Sequence, residues 1–145
     1  MKIYCDTNVL IAAGIEAHSH HQQAVELLNP VWKGEVSACT SSHAIAEYFA
    51  VMTRLPCRPK IHPADADRML QDDILPFFSW VELSAEEYRQ ALAMCLRANR
   101  PGAVIFDGLH LLSAQKAGCD RLYTFNVKDF RALAAPEWQS KIVTP

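Results

Sequence analysis

The chain has no apolar stretch approaching the ~20 residues that a bilayer-spanning helix needs, and its start, MKIYCD, lacks the apolar segment of a secretory signal. Neither export nor membrane anchoring is expected, so the predicted location is the cytoplasm. Glycine is scarce, with 5 residues, and none are grouped into a phosphate-cradling loop of the Walker or dinucleotide type. Cysteine is odd in number and scattered: Cys5, Cys39, Cys57, Cys95 and Cys119 include no CxxC pair, which argues against a disulfide framework and against a zinc ribbon. Neither sign of charge dominates, since 14 basic residues face 16 acidic ones for a net charge of -2. A nucleic-acid partner would therefore need a local basic rim or metal ions, not a global positive field.

What is present suits one globular domain. The 145 residues are 50% hydrophobic, and a chain of this size buries roughly two thirds of the surface its unfolded form exposes. We expect a single domain spanning residues 1–145, with no internal repeat, low-complexity tract or linker. The three prolines of LPCRPKIHP, residues 55–63, punctuate that domain as a loop between helices. Short β-rich runs occur at KIYC (2–5), EVSAC (35–39), SWVEL (79–83), RLYTF (121–125) and KIV (141–143), and helical patterns separate most of them. This alternation predicts an α/β fold with a mainly parallel central sheet of about five strands flanked by helices.

Helix boundaries follow from local chemistry. Ser19 with Gln22 and Ser84 with Glu87 both match the capping box, in which each side chain satisfies the other residue's free backbone N–H. The first predicts a helix from Ser19 to about Gly34. The pattern Ile45, Tyr48, Phe49, Met52 predicts an inward face on a helix over about 42–54, and Tyr88, Ala91, Leu92, Cys95 predicts one on the helix after Ser84. ADADRMLQDDILPFF predicts a helix stopped near Pro76, residues 106–116 one that ends before Gly118, and NVKDFRAL a last short turn.

Four polar residues break this apolar patterning in an informative way. In an open α/β sheet, ligands gather outside the carboxyl ends of the strands. Asp6 and Asn126 each follow a predicted strand, Glu47 lies in the second turn of the helix after EVSAC, and Asp107 lies in the first turn of the helix before RLYTF. Three carboxylates at one sheet edge repel one another and raise each other's pKa values, a cost that a bound divalent cation removes. Oxygen donors without His or Cys suit Mg²⁺ or Mn²⁺. Phosphodiester hydrolysis is the chemistry such a centre supports.

DTNVLIAA (6–13), SSHAIAEYFAVM (41–52) and FDGLHLLSAQKAGCDRLYTFNVKDF (106–130), in that order over nearly the whole chain, resemble a PIN-domain ribonuclease of the VapC toxin type. The resemblance implies metal binding by Asp6, Glu47 and Asp107, with Thr7 and Asn8 supporting the first carboxylate. Many relatives have Asp where this chain has Asn126, so Asn126 would contribute its amide oxygen or act through water, or Asp129 would serve instead. It further implies endoribonuclease activity on RNA, neutralisation by a cognate antitoxin, and a homodimer.

Each residue also has a plainer role open to it. Asp6 and Asn126 suit helix N-caps, Asp107 suits the macrodipole at a helix start, and Glu47 and Asp129 suit solvated surface. His18, His20 and His21 are expected on the surface, His43 and His110 as structural or exposed residues, and Arg54, Arg58 and Lys60 in a solvated loop. Two other functions compete with the nuclease: a PIN fold that has lost catalysis and binds RNA or a partner, favoured by Asn126, and a phosphatase of the haloacid dehalogenase type. The latter needs a second Asp two residues after the first, where this chain has Asn8.

Overall fold

The computed structural model describes all of residues 1–145. Strand β1 (Lys2–Cys5) alternates its side chains between two cores: Ile3 and Cys5 point to one face of the sheet and Tyr4 to the other. β2 (Ser37–Ser41), β3 (Phe78–Val81), β4 (Arg121–Tyr123) and β5 (Ile142–Val143) join it in the order β3-β2-β1-β4-β5, and every pairing is parallel. Parallel pairing requires crossovers, and helices supply them. They are α1 (Thr7–Gly14), α2 (His21–Trp32), α3 (His43–Met52), α4 (Pro63–Met69), α5 (Ala85–Ala98), α6 (Val104–Lys116) and α7 (Val127–Leu133). A π-helical turn, Leu70–Ile74, extends α4 towards Pro76, and a 3₁₀ turn, Pro136–Lys141, leads into β5.

The chain builds β1, β2 and β3 outward in one direction, then returns to place β4 on the opposite side of β1. Strand order thus reverses at the β1–β4 boundary, where neighbouring crossovers part and leave a crevice at the carboxyl ends. Register pairs Cys5 with Tyr123, and the Asp6 amide donates to the Tyr123 carbonyl at 3.0 Å. Asp6 and Thr124 therefore leave the sheet side by side.

Five strands form where β-rich runs predicted them; β2 starts and ends two residues later than its run, and β3 and β4 end two residues earlier than theirs. EVSAC does not begin a strand at Glu35, because the amides of Glu35 and Val36 donate to the Pro30 carbonyl at 2.8 and 3.2 Å and stay wrapped on the end of α2. The Ser84–Glu87 capping box forms, with bonds of 2.7 and 3.2 Å. The Ser19–Gln22 box does not, and α2 starts at His21. The His18 ring instead accepts from the His20 amide at 3.1 Å, and the Gln22 amide group donates to Glu26 at 2.7 Å.

Two inward faces are narrower than their apolar patterns. Ala44, Tyr48 and Met52 are the buried stripe of α3, while Ile45 and Phe49 are exposed; Ala91 and Cys95 are the buried positions of α5, while Tyr88 and Leu92 are exposed. Ile45, Phe49 and Leu92 each directly follow a buried residue and are turned about 100° from it.

Leu122 on β4 is fully buried among Leu111, Phe130 and Ile142. Leu122→Ala is expected to cost about 2–5 kcal/mol of unfolding free energy. Urea denaturation of the variant beside the unmodified chain measures it, and a loss below about 1 kcal/mol would contradict this packing.

Candidate active site

The crevice at the β1–β4 boundary gathers the polar residues. Asp6, 5% exposed, occupies the N-cap position of α1 with extended backbone, yet its side chain makes no capping bond. The Thr124 hydroxyl donates to its Oδ2 at 2.7 Å. That same hydroxyl accepts from the Asn8 side-chain amide at 3.2 Å and from the Asn126 backbone at 2.9 Å. Asn8 thus supports the first carboxylate through Thr124. The N-cap role considered for Asp6 is excluded by this arrangement.

His110 is the centre that sequence reasoning missed. It is 1% exposed, and its Nε2 lies 2.9 Å from Glu47 Oε1, 3.3 Å from Asp6 Oδ1 and 3.2 Å from Thr7 Oγ1. On the far side of the ring, Nδ1 lies 2.7 Å from the Tyr4 hydroxyl. His43 joins the same carboxylate, its Nε2 3.0 Å from Glu47 Oε1. Glu47 is therefore half-buried by two imidazoles, and this corner is not the oxygen-only donor set expected. The signal was available: His110 stands three residues after Asp107 and His43 four before Glu47, and both spacings place the pair on one helix face.

Asp107, in the first turn of α6, faces the crevice from the other side and accepts from the Asn126 amide at 3.2 Å. Asn126 sits at the N-cap of α7 but its side chain does not cap that helix. Asp129 pairs with Arg100 at 3.6 Å. Arg100, Asp107, Asn126 and Asp129 line an open cleft of about 370 Å³. The exposed Arg54, Arg58 and Lys60 stay in the proline loop, and His18, His20 and His21 in the turn before α2 and its first residue.

Electrostatics separates the three carboxylates. Burial and then Asp6 push Asp107 up to about 7. Burial also raises Asp6, against the opposing pull of His110 and Thr124. Burial would raise Glu47 too, but hydrogen bonds from His110 and His43 outweigh it and hold the group at about 2. Burial disfavours charge on His110, yet Asp6 and Glu47 raise its pKa; His43 is lowered by burial and by the charge on His110, against the pull of Glu47.

The family model described as PIN domain matches residues 3–136. The chain belongs to the PIN-domain family. Among curated members it is 29% identical over 132 residues to Ribonuclease VapC40 of Mycobacterium tuberculosis, an alignment covering 91% of this chain and 90% of that protein. Among solved structures, this PIN domain matches Mycobacterium tuberculosis VapC20, described as a sarcin-ricin loop cleaving toxin. The TM-score is 0.68 at 19% identity, over 90% of this chain and 94% of that one. It also matches VapBC2 from Rickettsia felis, solved bound to a DNA fragment from their promoter, with a TM-score of 0.65 at 19% identity over 99% of this chain and 97% of that one. These likenesses extend the single PIN-like α/β architecture to the described strands and helices.

Proposed function

We propose that this PIN domain is a metal-dependent endoribonuclease, the toxin of a toxin–antitoxin pair, and that Asp6, Glu47, Asp107 and Asn126 form its catalytic site. The observation that carries this reading is the pair of pKa-raised carboxylates, buried Asp6 and half-buried Asp107, at the strand-order reversal. Burying like charges together is costly, and a divalent cation between them turns repulsion into attraction. Asp6 and Asp107 offer oxygen donors, which fit Mg²⁺ or Mn²⁺. Glu47, at the next corner, would complete the set. An ion held there supplies charge neutralisation at the phosphate and a lowered pKa for the attacking water.

The chain's own groups prepare that chemistry. Thr124 and Asn8 hold the Asp6 carboxylate in one orientation. Asn126, in place of a fourth acid, donates to Asp107 and keeps its other amide atom, an oxygen, available to a ligand or water. His110 offsets charge between Asp6 and Glu47, which lets two carboxylates stand close before any cation arrives.

Ribonuclease VapC40 and the toxin VapC20 support RNA as substrate. The VapC-type resemblance, with VapBC2 as a structural neighbour, supports an antitoxin partner. A homodimer is in keeping with the exposed stripe Tyr88, Leu92 and Leu96 on one face of α5. No helix is long and apolar enough to cross a membrane.

Purified chain incubated with total RNA and Mg²⁺ or Mn²⁺ should yield discrete cut ends that EDTA abolishes. No cleavage with either ion, or cleavage indifferent to EDTA, would overturn the proposal. Arg100 is the basic residue lining the cleft beside Asp107, so Arg100→Ala should raise KM for RNA and reduce the salt-dependence slope by about 1. An unchanged slope would place Arg100 outside the RNA path.

A further inference from the structure

We propose that His43, Glu47 and His110, joined by Asp6, form a nitrogen-containing site that binds Zn²⁺ and, when filled, withholds Asp6 and Glu47 from the oxygen-liganded ion of the proposed nuclease. The inference rests on the nuclease reading only in that second clause; the binding site stands on geometry alone. One donor atom from each of His43, Glu47 and His110 lies within 4.8 Å of the others. The separations from Glu47 Oε1 to the two rings are 3.0 and 2.9 Å, and from His110 Nε2 to Asp6 Oδ1 3.3 Å. Ligand atoms around a four-coordinate ion with bonds of about 2.0 Å lie roughly 3.3 Å apart. The donors of His43, Glu47 and His110 therefore already stand close to coordination spacing, with Asp6 against His110.

Two further features favour a metal over a set of simple hydrogen bonds. A ligating imidazole is oriented by a partner on its other nitrogen, and the buried Tyr4 hydroxyl lies 2.7 Å from His110 Nδ1. When the ion takes Nε2, the ring proton resides on Nδ1 and is donated to the Tyr4 oxygen, so the neutral ring loses no hydrogen bond. Charge balances as well, because two carboxylates and two neutral imidazoles meet a dication with no net charge left buried. Imidazole donors suit Zn²⁺ and its borderline neighbours, whereas Mg²⁺ prefers oxygen.

The test uses the full-length chain stripped with EDTA and titrated with Zn²⁺, Co²⁺ or Mg²⁺ alone, without RNA. Calorimetry should show that His43→Ala weakens Zn²⁺ binding at least about 10-fold, with Mg²⁺ binding changed far less. In the unmodified chain, Co²⁺ should give the intense visible bands of a four-coordinate nitrogen and oxygen site and paramagnetically shifted ring N–H proton signals. That readout needs no variant and remains decisive if His43→Ala fails to fold. Zn²⁺ affinity equal in the variant, or Co²⁺ giving only the weak bands of a six-coordinate oxygen site without shifted ring protons, would overturn the site. RNA cleavage in Mg²⁺ combined with His43-independent Zn²⁺ binding would sink this inference alone. Absent cleavage with His43-dependent Zn²⁺ binding would sink the nuclease reading and leave the site standing.

Discussion

Asp6→Asn should lower the rate of RNA cleavage by at least about 10²-fold, because Asp6 would hold the ion that neutralises charge at the phosphate. The substitution preserves shape and an oxygen that can still accept from Thr124, whose hydroxyl lies 2.7 Å from Asp6. What it removes is one negative charge from the place where strand order reverses. Initial rates on RNA at saturating Mn²⁺, with cooperative melting as a check that the variant is folded, measure the effect. A folded variant within tenfold of the unmodified chain would remove Asp6 from the proposed site.

In the metal-free chain, raising pH from about 5 to about 8 should lower the melting temperature, and Mn²⁺ should restore it. Asp6, Asp107 and His110, all raised, set the sign, while His43, lowered by burial, opposes them. Asp107 has a folded pKa of about 7, above the ordinary carboxylate value of about 4. The penalty for ionising it is therefore absent in acid and grows as pH climbs through that interval. His110 has a folded pKa raised by Asp6 and Glu47, so the stability it contributes is complete below its unfolded value and lost as pH rises through the folded one. Glu47, held at about 2, acts in the opposite direction: its contribution is present above its unfolded value and fades only as pH falls in strong acid. At about 100 times its dissociation constant, an ion bound only by the folded chain adds about 2.7 kcal/mol, on the order of 10 °C for a domain of this size. Asp107→Asn should flatten the pH slope above about 5, raise the metal-free melting temperature at pH 8, and remove most of the Mn²⁺ response. No rise with millimolar Mn²⁺ at pH 8 would count against a cation at this carboxylate cluster.

The three carboxylates do not bear the expected repulsion equally. His110 already offsets Asp6, whereas Asp107 has only a neutral amide, that of Asn126, within hydrogen-bonding distance. Asp107 is thus the carboxylate whose neutralisation most stabilises the metal-free fold. The N-cap role favoured for Asn126 failed for a related reason: its side chain reaches across the crevice to an acid 19 positions away, and the first turn of α7 does without it.

The five strands, their alternation with helices and hence the parallel sheet were legible in residue order, because strand and helix periodicities are local properties of adjacent residues. Residue order also placed Asp6 at a strand end and Asp107 in a helix's first turn, since those positions follow from where each element starts and stops. Which stripe of α3 and α5 is buried came from packing, because helix rotation is set by packing partners and both apolar stripes fit the same spacing. Packing also set His110 between Asp6 and Glu47 and gave Asp6 its hold from Thr124. Those contacts span 63 positions for His110 with Glu47 and 118 for Thr124 with Asp6. Such pairs meet only because the sheet sets β1 and β4 side by side and directs their carboxyl ends into one crevice.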